Sequence, residues 1–110
     1  MHIGKLITFL CLTMGASSYK IRAFKGRDCK GESKVTNVWD NRCATPNYPT
    51  KSFRVLEYGR WRQRAYFYPM NHCLIGKVND WWADGGSDTF LKGRCINLGG
   101  TARAYASWST

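Results

Sequence analysis

From Tyr19 onward, no stretch keeps the three-to-four-residue spacing of apolar positions that one face of a helix requires. Short runs of aromatic and β-branched residues instead alternate with polar ones and end at turn formers. Ile21–Phe24 runs into Lys25-Gly26-Arg27-Asp28, and Lys34–Trp39 runs into Asp40-Asn41. Phe53–Tyr58 stops at Gly59, Ala65–Tyr68 at Pro69, Trp81-Trp82 at Asp84-Gly85-Gly86, and Cys95–Leu98 at Gly99-Gly100. Arg103–Trp108 reads as a final strand at a sheet edge, where Arg103 would discourage strand-to-strand aggregation. Pro46 and Pro49 mark a polar connector within the first half. This spacing predicts an all-β sandwich or barrel.

The pattern also repeats. Phe24, Cys29 and Gly31 return as Tyr68, Cys73 and Gly76, with one extra residue before the glycine. A second match aligns Ser52–Val55, Gly59 and Arg64–Tyr66 with Arg94–Ile96, Gly99 and Arg103–Tyr105, across a one-residue gap. Two copies of one supersecondary unit are therefore expected in a single domain.

Residues 1–18 have the organisation of an export signal: Lys5, a short apolar core from Leu6 to Leu12, and small residues at Ala16-Ser17-Ser18. The apolar run is too short to span a membrane. Removing 18 of the 110 residues leaves 92, one domain (19–110), with the first unit at about 19–62 and the second at 63–110. Cys11 goes with the leader, and Cys29, Cys43, Cys73 and Cys95 remain to form two disulfides on the secretory route. Three pairings are open. One staple inside each unit (Cys29–Cys43 and Cys73–Cys95) is favoured, and a bridge between units is the rival. No CxxC pair suggests structural zinc. Loss of Lys5 lowers the formal net charge by one, from +10 to +9, which favours anionic partners without choosing among them.

The sharpest surface candidate is Arg60-Trp61-Arg62-Gln63-Arg64. On one strand, Arg60, Arg62 and Arg64 would share a face, with Trp61 on the other beside Ala65. Arginines next to rings suit phosphate gripping together with stacking. Trp81 and Trp82, being adjacent in a strand, should point to opposite faces, one filling the core and the other available to a ligand. His72 is the one histidine left after the leader; a ribonuclease built from Glu57, Arg64 and His72 has no spacing that makes them converge.

Residues 20–31, KIRAFKGRDCKG, resemble the opening of a βγ-crystallin Greek-key motif, in which an aromatic is followed by four spacers, a second aromatic, one spacer and glycine. Phe24 and Gly31 fit, and Cys29 stands where the family usually has its second aromatic. NYPTKSFRV (47–55) is similar to the family's later segment, a serine before an apolar-Arg-apolar strand. The resemblance implies a two-Greek-key β-sandwich stapled by disulfides, covering 19–110. Small, basic, secreted members resemble yeast killer toxins and fungal effectors, and the family also includes a metalloprotease inhibitor. Its calcium signature, (N/D)(N/D)xx(S/T)S, is incomplete: Asn79-Asp80-Trp81-Trp82-Ala83-Asp84 has Ala83 where a hydroxyl is required, and Asn47–Ser52 puts Tyr48 and Lys51 at ligand positions.

The sequence thus leads to a secreted, extracellular, monomeric toxin-like or effector protein without catalytic residues, metal or cofactor. It would act by binding an anionic cell-wall or membrane component, or a host or competitor protein. Arg60, Trp61, Arg62 and Arg64 would make the contact, with Trp81 or Trp82 in support. The alternatives are a protease inhibitor using loops at Arg42-Cys43-Ala44 or Asn71-His72-Cys73, and a secreted ribonuclease.

Overall fold

The computed structural model describes residues 17–109. Eight strands occur in the order β1 (Ser18–Phe24), β2 (Ser33–Trp39), β3 (Arg42–Ala44), β4 (Thr50–Glu57), β5 (Gln63–Tyr68), β6 (Asn79–Trp82), β7 (Cys95–Ala102) and β8 (Ala104–Ser109). A 3-10 turn covers Arg27–Cys29. The strands form two four-stranded antiparallel sheets, ordered β2-β1-β4-β7 and β3-β8-β5-β6. The expected all-β architecture is present. The expected leader lies outside the described residues except at its end, where Ser18 pairs with Trp39 and the Ser17 carbonyl accepts the Asp40 N–H at 2.9 Å.

Period-2 alternation decides which side chains the sheets bury. Tyr19, Ile21 and Ala23 of β1, Phe53 and Val55 of β4, and Ala65 and Phe67 of β5 all enter one core. Phe53 is its centre. Its ring stacks on Phe67 at 4.8 Å and lies 5.8 Å from Trp81 and 5.7 Å from Phe90. Phe67 meets Tyr105 at 5.6 Å, and Tyr19 meets Phe90 edge-on at 5.5 Å. Such pairs add about 0.5–1.5 kcal/mol each beyond simple burial. The buried Tyr19 hydroxyl donates to the Ala106 carbonyl at 2.8 Å, tying the first sheet to the second.

The sheet orders carry an internal symmetry. Raising each strand number by four, counted round the eight, turns β2-β1-β4-β7 into β6-β5-β8-β3, the second sheet read backwards. The chain thus folds as two units, β1–β4 and β5–β8, each lending its third strand to the other's sheet. The first sequence match falls on equivalent places, because Phe24 and Tyr68 end β1 and β5. Gly31 and Gly76 follow at φ 86° and 78°, a left-handed conformation that glycine adopts cheaply. The second match does not: it aligns β4 with β7 and β5 with β8, which are hydrogen-bonded neighbours rather than equivalents. Similar alternation in adjacent strands produced that likeness.

Strand exchange also corrects the expected disulfides. Cys29, in the turn after β1, bonds Cys95 at the start of β7, and Cys73, in the loop after β5, bonds Cys43 of β3. Each third strand has crossed to the other sheet, so its cysteine meets the other unit's loop, and both staples join units. Two further corrections follow from register. β8 lies between β3 and β5 and is not an edge, and Arg42–Ala44 is strand β3, paired to β8, rather than a loop. Ser52 holds the first loop: its hydroxyl donates to the Gly26 carbonyl at 2.6 Å and accepts the Cys29 N–H at 2.8 Å. By register (Phe24 opposite Ser52, Tyr68 opposite Ala104), Ala104 takes that place in the second unit.

Peptide mapping without reduction is expected to recover Cys29 linked to Cys95 and Cys43 linked to Cys73. Recovery of Cys29–Cys43 would contradict the strand exchange. Each bridge closes a long segment, 66 and 30 residues apart in sequence, so losing either by paired Cys→Ser change should cost about 2–5 kcal/mol in denaturant unfolding.

Candidate functional site: an aromatic and cationic sheet face

The outer face of the second sheet is built by the same alternation. In β5, Gln63, Ala65 and Phe67 turn inward, leaving Arg64, Tyr66 and Tyr68 outward. Register places Arg64 opposite Trp82 on one side and Trp108 on the other. The Arg64 guanidinium lies 4.5 Å from the Trp82 ring centre and 3.2 Å from the Asp80 carboxylate. Lys77 reaches the same carboxylate at 3.0 Å and lies 5.2 Å above the Tyr66 ring, which stacks on Tyr68 at 6.4 Å. The face is therefore a ladder of rings and cations around one acid. Adjacent residues divide as the pleat requires: Trp81 packs among Phe53, Phe67 and Phe90, while Trp82 joins the outer face.

The expected strand through Arg60–Arg64 is replaced by a turn. β5 begins only at Gln63, and Arg60, Arg62 and Arg64 do not share a strand face. Gln63 is the cause. Its buried carboxamide accepts the Arg60 N–H at 2.8 Å and hydrogen-bonds Ser107, while its own N–H closes the turn on the Arg60 carbonyl at 3.1 Å. A Cβ on Gly59 would fall 2.6 Å from the Gln63 carboxamide carbon, so glycine leaves room for this buttress. Arg62 takes φ 67°, which costs a non-glycine residue about 1–2 kcal/mol, and Asp84 Oδ2 fixes it by accepting its N–H at 2.8 Å.

Trp61 consequently does not join Ala65 in the core; it is 77% exposed. The Arg62 guanidinium lies 5.3 Å from the Trp61 ring and 5.6 Å from Trp82, at a shallow cleft of about 300 Å³ lined also by Asp84 and Gly86. Arg60 pairs with Asp40 at 3.6 Å. The structure thus brings Trp61, Arg62, Arg64 and Trp82 together, sets Arg60 beside them in the turn, and turns Trp81 to the other side of the sheet. Trp108 and Lys77 belong to the arrangement and escaped the sequence reading, as did the buttressing role of Gln63, which the sequence showed only as a member of the cluster. Alternation within Arg103–Trp108 could have placed Trp108 outward; nothing in the sequence signalled Lys77.

The other candidates have separate partners. Glu57 pairs with Lys20 on the first sheet at 3.3 Å, and His72 accepts the Leu74 N–H within its own loop at 3.4 Å. Around the incomplete calcium signature, Asn79 accepts the Gly99 N–H at 2.7 Å, Asp80 holds Arg64 and Lys77, and Asp84 accepts the Arg62 and Gly86 N–H groups. In the other candidate segment, Thr50 and Ser52 point their hydroxyls at Tyr48, Tyr105 and Gly26. Among the described residues, no three His, Cys, Asp or Glu side chains gather as a metal ion would need.

Partial burial would raise the Asp80 carboxyl, but hydrogen bonds and charge from Lys77 and Arg64 outweigh it and hold the group below its ordinary range. A depressed carboxylate stabilises the fold above its unfolded pKa, near 4, and loses that contribution as pH falls through its folded value. The Asp80→Asn protein is therefore expected to melt below the parent at neutral pH, with the gap closing on acidification toward about pH 2. Thermal melts followed by circular dichroism measure this, and a gap of constant size would assign the effect to something other than the ion pairs. Comparison of the chain with protein-family models, with curated proteins and with solved structures found no match.

Proposed function

We propose that this chain is a secreted, non-enzymatic binding protein of βγ-crystallin type that engages an anionic cell-surface component through the outer face of its second sheet. Its role would be that of a toxin or effector. The fold reading is supported by the path of each unit: an opening hairpin, a fourth strand beside the first, and a third strand given to the opposite sheet. A fourth strand returning to lie beside the first is the hallmark of a Greek key, so this path supports that reading. Two such units on about ninety residues, with positive-φ glycines at matching places, agree with the motif resemblance. The disulfides agree with an oxidising, extracellular-type environment.

One observation carries the functional reading: arginines interleaved with tryptophans on a sheet face of a strongly basic protein. Arg62 lies near Trp61 and Trp82, and Arg64 lies over Trp82. Rings of this kind give apolar and stacking contact, while guanidiniums recognise phosphate, sulfate or carboxylate. Arg64 and Arg60 already hold Asp80 and Asp40, so an external anion would bind by partner exchange. That favours dense or multivalent anions, whose field can compete with an internal carboxylate.

Replacing Arg60, Arg62 and Arg64 by serine should weaken binding to intact cells and to anionic polymers about tenfold or more and flatten its salt dependence. Asp80→Asn, which removes the competing carboxylate, should instead tighten binding about threefold. Affinity measured across a salt series reads both. Unchanged affinity and salt slope in the folded triple variant would eliminate this face as the contact.

A further inference from the structure

Two loops occupy equivalent places in the two units: residues 25–31 after β1 and residues 69–76 after β5. Each carries a cysteine bonded to the other unit's third strand, and each contains a glycine at positive φ. Their surface chemistry is opposite. The first presents Lys25, Arg27, Asp28 and Lys30. The second presents Met70, Leu74 and Ile75, exposed to 59%, 77% and 76%. The fold therefore does not require apolar side chains at this place, since its own counterpart does without them. Three large aliphatic side chains gathered in solvent are a liability for a lone soluble domain and mark a contact surface.

The loop is anchored so that its tip stays outside. Cys73 is bonded to Cys43 and packs against Tyr68, Ala104 and Ala106 on the outer face of the second sheet. The Asn71 side chain accepts the Asn47 N–H at 3.0 Å. Leu74 and Ile75 follow directly after this anchor. Segments 41–56, 67–79 and 95–109 contain no Asp or Glu, and the acids just beyond them are engaged, Asp80 by Lys77 and Arg64 and Asp40 by Arg60. Arg42 precedes Cys43, and the Arg103 N–H donates to the Tyr68 carbonyl at the root of the loop. Neither Arg42 nor Arg103 has an ion pair among the described residues. An apolar tip whose base adjoins these two arginines, Arg42 beside the Cys43–Cys73 bridge and Arg103 at Tyr68, complements an anionic lipid bilayer, whose headgroups attract bases while its acyl boundary takes aliphatic side chains. A soluble acidic protein would match the charge but leave the aliphatic pair without a reason.

We propose that the Met70–Gly76 loop inserts into an anionic bilayer, Leu74 and Ile75 entering the acyl boundary while Arg42 and Arg103 meet the headgroups. This rests on the reading of an anionic cell-surface target, names that target as lipid, and adds a contact distinct from the arginine–tryptophan ladder. The disulfide Cys43–Cys73 makes the tip a preformed wedge, so little ordering accompanies insertion.

The test is co-sedimentation of the oxidised protein with vesicles of phosphatidylcholine alone and with about one-third phosphatidylglycerol. Binding is expected to the anionic vesicles, and the Leu74→Ser/Ile75→Ser variant should partition about tenfold less or lower. Both positions are exposed, so the variant should keep the parent's near-ultraviolet dichroism. As a second reading, Leu74→Trp should be quenched by lipids brominated on their acyl chains more than the parent is. No partition of the parent, or equal partition of parent and double variant, overturns the loop assignment. If the double variant binds like the parent while the triple arginine variant does not, the ladder stands and the loop falls. The reverse result keeps the loop and removes the ladder. A parent dimer in sedimentation equilibrium that the double variant dissolves, without vesicle binding, would overturn the lipid assignment in favour of a second copy of the chain.

Discussion

Everything in this fold depends on the exchange of third strands. β3 leaves the first unit to pair with β8, and β7 leaves the second to pair with β4. Neither unit can complete its own sheet, and the aromatic core centred on Phe53 and Phe67 draws one ring from each sheet. The two disulfides repeat the constraint covalently, since each runs from one unit's opening loop to the other unit's third strand. A domain of this size buries limited apolar surface, and staples that tie its two halves together add most where the core adds least.

That framework explains how nearly symmetric halves carry different surfaces. The constraint acts on the inner faces and on the loop anchors, where Gly31 and Gly76, and Cys29 and Cys73, are equivalent. It leaves the outer faces and loop tips unconstrained. On the first sheet those positions are mostly polar. On the second they hold Trp82, Trp108, Tyr66 and Arg64, a turn displaying Trp61, and an aliphatic tip at Leu74 and Ile75. The second unit also lacks the serine that pins the first loop, Ala104 replacing Ser52, so its loop relies on the disulfide, on Asn71 and on packing over Tyr68. The departures from symmetry, rather than the symmetry, therefore carry the proposed contact.

Much of the fold was legible in the sequence because alternation and turn formers are local. Seven strands fall on the apolar runs, five of them ending at the expected turn formers; β7 instead continues through Gly99-Gly100 to Ala102, held there by pairing with β4, and β3 was hidden because Arg42-Cys43-Ala44 is short and its pairing is set by β8. The disulfide pairing was not legible, since strand exchange is a property of topology and leaves no spacing signal. In the site, the rings and arginines were visible as a cluster, but their arrangement was not. One buried amide, Gln63, turns Arg60–Arg62 out of the strand, and a glutamine gives no sign in sequence of which backbone N–H it will hold. Trp81 and Trp82 were the easier case, because adjacent strand residues must face opposite ways.

The central claim is that the second unit's outer face and loop, rather than overall positive charge, make the contact. Amide and indole chemical-shift perturbation on titration with anionic bicelles tests it most directly. Changes are expected at the Trp61 and Trp82 indoles and in residues 70–76, with residues 25–31 unaffected. If charge alone governed binding, the loop carrying Lys25, Arg27 and Lys30 would respond at least as strongly, and that result would contradict the account.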